Sequence, residues 1–158
     1  MKGRISLFSG KHDVAIGDAN SMPRTGEKSK FGKYIANRPD VDPNGMFDVI
    51  AHGATTFIEV YSGGKTYNVD AREAAKLIRK QPGFKKARSI RLLSCSTGAD
   101  PEGFAQHLAN ALGKPVYAPN NTIYSLSNGR YWIGNISPSV KGDFVKYVPG
   151  GIKHGKRK

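Results

Sequence analysis

Phe47-Asp48-Val49-Ile50-Ala51-His52-Gly53 and Ser89-Ile90-Arg91-Leu92-Leu93-Ser94-Cys95-Ser96-Thr97-Gly98 are the two stretches whose reading decides the fold. Each is a short, nearly unbroken apolar run, not a polar–apolar alternation. That pattern marks a strand covered on both faces, as inside a parallel sheet. Each run delivers a chemically able residue, His52 in one and Cys95 in the other, followed by small or polar residues. Ligands of open α/β sheets sit beyond the carboxyl ends of the strands. If the two strands are neighbours, an imidazole and a thiol share one rim.

The segments around these runs complete the pattern. Phe57–Tyr61 and Thr66–Val69 predict a hairpin turning at Ser62-Gly63-Gly64-Lys65. Asp70, with Glu73 three residues on, predicts a capped helix start. Ala74, Leu77 and Ile78 give that helix an apolar stripe, and Pro82-Gly83 stops it near Gln81. Asp100-Pro101-Glu102 predicts a second helix with Asp100 as N-cap and Pro101 in the tolerated first position. Its apolar face is Phe104, Leu108, Ala111 and Leu112, and Gly113 is its C-terminal stop. Pro115–Ala118 reads as a short strand. Thr122–Leu126 and Arg130–Ile133 flank Ser127-Asn128-Gly129, a hairpin with an Asn-Gly turn. This order predicts an α/β fold with a mainly parallel sheet flanked by helices and an appended C-terminal β-hairpin.

Three regions follow. Residues 1–45 are loop-rich, with one strand at Ile5–Phe8 and a short helix within Lys28–Asn37. Residues 46–149 form the α/β domain, irregular after Ile133. Residues 150–158 read as a basic flexible tail. A chain of 158 residues buries a sizeable core without metals or disulfides. Its 38% hydrophobic content excludes a disordered chain. No stretch approaches the roughly 20 apolar residues of a membrane span. Met1–Gly10 is too short an apolar run for a signal peptide, so export is expected only as part of a larger protein.

Charge narrows the partners. The chain carries 25 Lys and Arg against 12 Asp and Glu, a net +13. Such an excess favours nucleic acid, acidic lipid, phosphorylated ligands or an acidic protein. The bland reading is a solubilising surface, and Lys153, Lys156, Arg157 and Lys158 lie in the tail. A single cysteine excludes an internal disulfide and a multi-cysteine zinc site. No His, Asp and Glu have metal-ligand spacing, so no metal is expected. No phosphate-binding loop, dinucleotide fingerprint or serine-nucleophile elbow occurs. His107 reads as a helix-surface residue, and His12 and His154 as loop and tail residues.

A thiol attacks as thiolate, which needs a base or a lowered pKa, and His52 supplies either. The helix opening near Asp100 points its amides toward Cys95. The Gly53 and Cys95 N–H groups are candidate donors to an oxyanion. A lone cysteine is more often small core filler, and a turn histidine more often a hydrogen-bonded structural residue. Their joint placement at two strand ends is what favours a dyad.

Phe47–Gly53 resembles the His-Gly strand end of the caspase-like, clan CD, cysteine peptidases, and Ile90–Gly98 resembles their cysteine-bearing strand. Glu102–Pro119 and the Gly129–Trp132 hairpin are similar to caspase-like modules of large secreted bacterial proteins, polymorphic toxins among them. The resemblance covers about residues 46–134. It implies a caspase-like three-layer sandwich, His52 as general base, Cys95 as nucleophile, and Gly53 and Cys95 as the oxyanion hole. It further implies an effector delivered from a larger secreted protein, cleaving a protein or peptide in the target-cell cytoplasm. The positive charge would then serve an acidic immunity or inhibitor protein, an acidic substrate, or a polyanionic activator such as an inositol phosphate; no other cofactor is expected. Asp48 or Asp100 would suit a basic substrate residue, and Arg91 or Arg130 an acidic one. The plain alternatives are a strand-edge charge for Asp48, an N-cap for Asp100 and surface charges for both arginines. Residues 1–45 align with no part of the family.

Two other functions stay open. A basic nuclease or RNA-targeting toxin would use His52 as acid or base, lysines and arginines on phosphates, and Tyr117, Tyr124, Tyr131 and Trp132 for stacking. A non-catalytic interaction module would leave Cys95 inert.

Overall fold

The two apolar runs become adjacent parallel strands in the computed structural model, which describes residues 4–5, 31–41, 45–62, 65–134 and 141–150. In chain order the elements are β1 (Arg4–Ile5), α1 (Phe31–Ile35), β2 (Met46–Ile50), β3 (Ile58–Ser62), β4 (Lys65–Val69), α2 (Ala71–Arg79), β5 (Ser89–Leu93), α3 (Phe104–Leu112), β6 (Val116–Pro119), β7 (Thr122–Ser125), β8 (Tyr131–Gly134) and β9 (Phe144–Tyr147). The main sheet has the order β1-β2-β5-β6-β9. Its first four strands are parallel and β9 runs antiparallel to β6. β3 with β4, and β7 with β8, make two separate antiparallel pairs. The class is therefore α/β with a mixed, mostly parallel sheet.

Burial on both faces explains the unbroken apolar runs. Phe47, Val49, Ile90 and Leu92 join a large cluster with Ala74, Ile78, Phe104 and Leu108 of α2 and α3. Ile50 and Leu93 turn the other way, into a smaller cluster with Ile35, Ile123 and Ile133. So α2 and α3 cover one face, and α1 with the β7–β8 pair covers the other. Each such side chain, fully buried, is worth about 1.5–3 kcal/mol relative to exposure.

One polar group interrupts the second face. Asp48 is fully buried in β2, and its register partner is Arg91 of β5. Arg91 grips it with two bonds, Nε to Oδ1 at 2.8 Å and Nη2 to Oδ2 at 2.7 Å. Arg38 Nε donates to Oδ2 at 2.9 Å. Arg38 Nη2 lies 2.7 Å from the same oxygen but makes no aligned hydrogen bond, so it contributes charge alone. Arg91 also reaches Asp40 and the Tyr131 hydroxyl, which itself donates a very short hydrogen bond to Asp40. The network thus stitches the segment after α1 to β2, β5 and β8.

Helix α2 starts as expected. Asp70 accepts from the Glu73 N–H at 2.9 Å, and the Glu73 carboxylate accepts from the Asp70 N–H at 3.3 Å. Helix α3 does not: it begins at Phe104, with Gly103 as N-cap, not Asp100. Asp100 instead folds a turn, accepting the Glu102 N–H on its carboxylate and the Gly103 N–H on its carbonyl. The region after Ile133, expected to be irregular, contains β9. Its residues hold a sheet edge through pairing with β6, not through any apolar run of their own.

Gly129 illustrates how tightly the second face is closed. Its φ is +92°, and a Cβ there would sit 2.3 Å from the Asn37 carbonyl oxygen. Only glycine suits both the left-handed turn and the close approach to the end of α1. The expected strand residues Ser6–Phe8, the turn glycines Gly63 and Gly64, and the tail from residue 151 lie outside the described residues.

Candidate active site

The register sets the site. Ile50 lies opposite Leu93 on parallel neighbours, and the Ala51 N–H donates to the Leu93 carbonyl at 3.3 Å. Side chains alternate between faces along a strand. His52 follows Ile50 by two residues and Cys95 follows Leu93 by two, so both belong to the face of the smaller cluster. The packing agrees. Cys95 packs against that cluster, as does Phe31 of α1, whose ring centroid lies 6.3 Å from that of His52.

Gly53 gives the closest measure of the approach. A Cβ built on it would stand 2.7 Å from Thr97 Cγ2, 3.1 Å from Ser94 Cβ and 3.2 Å from the Cys95 carbonyl oxygen. The His-Gly end of β2 therefore lies directly against the Cys95 loop. The Gly53 amide has no backbone acceptor among the described residues, and the Cys95 amide is directed at its own sulfur. The two expected oxyanion donors thus lie on segments in direct contact.

The loop carrying Cys95 is fixed residue by residue. The Ser94 and Thr97 hydroxyls lie 3.1 Å apart, and Thr97 Oγ1 also donates to the Ser94 carbonyl. The Ser96 N–H donates to the Asn121 carbonyl at 3.0 Å and the Gly98 N–H to the Pro119 carbonyl at 2.8 Å. The Tyr147 hydroxyl of β9 donates to the Gly98 carbonyl at 2.6 Å. Helix α3 contributes its first amides to this scaffold. The Phe104 N–H donates to Thr55 O and the Ala105 N–H to Thr97 O. These two amides hold the loops and are not turned on the thiol, as the expected helix start at Asp100 would have had them.

Ser96, directly after Cys95, has φ +56°, and no other non-glycine among the described residues has a positive φ. An L-residue in this left-handed region costs about 1–2 kcal/mol, and such strain clusters at functional turns. Ser96→Gly is therefore expected to raise stability by about 0.5–1 kcal/mol in urea unfolding. A loss of stability would show that the conformation is not strained.

The electrostatics favour neutral partners. Burial pushes the Cys95 thiol pKa up. Burial also lowers His52, with the Glu59 charge opposing the shift. The thiol's hydrogen-bond partner is the Ile123 carbonyl, at a long 3.9 Å. The arrangement suits a base that takes the proton during attack better than a standing thiolate–imidazolium pair.

The other expected contacts disperse. Asp48 and Arg91, read from the sequence as substrate contacts or as surface charges, are bound to each other inside the fold. A fully buried carboxylate held by two arginines meets no substrate side chain. Arg130 is exposed beside the β7–β8 turn. Asp100 is exposed and lines a cavity of about 520 Å³ with Thr56, Asp70, Glu102, His107 and Asn110; neither His52 nor Cys95 lines it. Among the described residues no group of His, Cys, Asp and Glu is arranged to hold a metal ion, and no helix is long and apolar enough to cross a membrane. Sequence reasoning missed Arg38, Asp40, Asn121 and Tyr147. Their partners lie 10 to 91 residues away along the chain, or on backbone carbonyls, so no local pattern marks them.

A family model described as "Domain of unknown function (DUF8616)" matches residues 17–133, a span that includes His52, Gly53 and Cys95. No curated protein matches the chain.

Proposed function

The chain belongs to the family described as Domain of unknown function (DUF8616), and we propose that it is a cysteine peptidase-like effector using Cys95 as nucleophile and His52 as base. The observation that carries this reading is the contact of the Gly53 backbone with the Cys95 loop. The fold reading that goes with it is a caspase-like three-layer sandwich. Helices α2 and α3 form one outer layer, and α1 with the β7–β8 hairpin forms the other.

The chemistry runs in two halves. The Cys95 sulfur attacks the scissile carbonyl carbon while a His52 ring nitrogen takes the thiol proton. The carbonyl π electrons move to oxygen, and the Gly53 and Cys95 N–H groups donate to that oxyanion. Collapse breaks the C–N bond, and the imidazolium gives its proton to the leaving amine. Water then attacks the thioester carbonyl, losing a proton to His52. The C–S bond breaks and the sulfur recovers that proton, leaving a free acid and the original thiol. Neutral resting partners, both favoured by burial, fit this general-base route.

The net charge of +13 supports an acidic partner, whether substrate, immunity protein or polyanionic activator. Proteome-wide profiling of new N-termini, wild type against Cys95→Ala, tests the reading. Cleavage sites present only with the wild type are the expected result. Identical profiles would remove it. Nuclease activity that survives Cys95→Ala but not His52→Ala would assign the basic surface to nucleic acid instead.

A further inference from the structure

The segment His52-Gly53-Ala54-Thr55-Thr56-Phe57-Ile58-Glu59 is a tight antiparallel turn. The Ala54 N–H donates to the Phe57 carbonyl at 2.9 Å, and the Glu59 N–H donates to the His52 carbonyl at 2.9 Å. Between these two bonds Gly53 bridges Ile58. The pairing sets Glu59 directly opposite His52. Residues opposite each other on antiparallel strands project to the same face, with Cβ atoms about 4.5–5.5 Å apart.

The packing of β3 fixes which way Glu59 turns. Ile58 and Val60 enter the large apolar cluster. Glu59, between them, turns away from that cluster, to the side where His52 projects. It is half-buried, and among the described residues no lysine or arginine pairs with it. The Phe31 ring of α1 lies against the His52 ring, and Glu59 is the charge that acts on it.

We propose that Glu59 is a positioning residue for His52: its carboxylate orients the ring, selects which nitrogen carries the proton, and stabilises the imidazolium formed when Cys95 loses its proton. The catalytic purpose rests on the peptidase reading, whereas the pairing itself does not. A carboxylate beside an imidazole holds one ring nitrogen protonated, which leaves the other as the base. The Glu59 charge opposes the effect of burial on His52, in the sense this role requires. Glu59 would convert the dyad into a Cys–His–Glu set with all the acid–base groups on one edge of the sheet.

The test follows His52 through its imidazole NMR titration in the full chain, in wild type, Glu59→Gln and Glu59→Asp. Glu59→Gln is expected to lower the His52 pKa by about half a unit or more, and Glu59→Asp to retain part of the wild-type value. Cys95, the chain's one thiol, is alkylated with iodoacetamide across the same pH range. The low-pH limb of that rate profile is expected to shift with His52. An unchanged His52 titration in Glu59→Gln, or in Glu59→Ala should the first variant not fold, overturns the proposal whatever Cys95→Ala does. A titration that responds to Glu59 while cleavage survives Cys95→Ala keeps the pairing and removes the peptidase reading.

Discussion

Cys95→Ala is expected to slow peptide cleavage by about four to six orders of magnitude, and His52→Ala by nearly as much. The double variant should lose little more than the worse single one, because the two groups act as a unit. The reasoning is geometric. In the proposed mechanism the sulfur bonds to substrate and the imidazole is its base, delivered by the neighbouring parallel strand. What would survive is residual catalysis from binding and from the two amides, which neither substitution removes. The fold should persist in both variants. Cys95 is only partly buried, and truncating it removes one sulfur from the edge of a small cluster, at a cost of about 1 kcal/mol. Thermal melts alongside the rate assays separate lost chemistry from lost structure. A folded Cys95→Ala protein that cleaves at the wild-type rate would end the mechanism.

Asp48→Ala is expected to cost the fold about 3–5 kcal/mol, the largest stability effect of any single substitution argued from this structure. Removing the carboxylate leaves Arg38 and Arg91 buried without their shared counter-ion. That is a large fraction of the 5–15 kcal/mol typical of a whole domain. Replacing Asp48, Arg38 and Arg91 together by apolar residues of similar volume should recover most of the loss, because an apolar core has no uncompensated charge. Urea unfolding of the single and triple variants measures both. A single variant within about 1 kcal/mol of wild type would show that water already reaches the network.

The acid side of the network follows from Asp40. Burial raises its carboxyl pKa, but hydrogen bonds from Arg91 and Tyr131 and the charges of Arg91 and Arg38 outweigh that and hold it below the ordinary value. A lowered carboxyl stabilises the fold above the unfolded pKa, and that contribution fades as pH falls through the folded one. Tyr131 is pushed up to about 12 by burial and by its bond to Asp40, so it remains a donor through the neutral range.

The same ion pair bears on the site. Asp48 and Arg91 are register partners, four residues before His52 and Cys95 respectively. A slip of one residue would send one of the two side chains to the opposite face of the sheet. The bidentate Arg91–Asp48 grip opposes that slip, which is a structural reason for a charge pair inside an apolar layer.

The strands that matter most were legible because their burial is local information. Phe47–Ala51 and Ile90–Leu93 are apolar at consecutive positions, and only a sheet covered on both sides needs that. The capping box at Asp70 was legible for the same reason, since its two bonds span three residues. Helix α3 was misplaced because Asp100-Pro101-Glu102 satisfies the rules for a helix start, whereas the Asp100 oxygens in fact close a preceding turn. β9 was missed because Phe144-Val145-Lys146-Tyr147 is an edge strand. Only Tyr147 is buried, and Lys146 lies over the Tyr117 ring, stabilised by a neighbour 29 residues earlier. Asp48 and Arg91 carry no sequence sign of burial, because the charges that neutralise them are 10 to 51 residues away. Glu59 was readable as a strand residue but not as a neighbour of His52, since the turn that brings them together contains neither proline nor an Asn-Gly pair.

The clasp between Tyr147 and Gly98 reaches across 49 residues to the loop that presents the thiol. A nascent chain ending at residue 134 already contains β2, β5, Cys95 and the Pro119 and Asn121 carbonyls that hold its loop, but not the Tyr147 hydroxyl. The last fastening of the thiol loop therefore waits for the final strand to leave the exit tunnel.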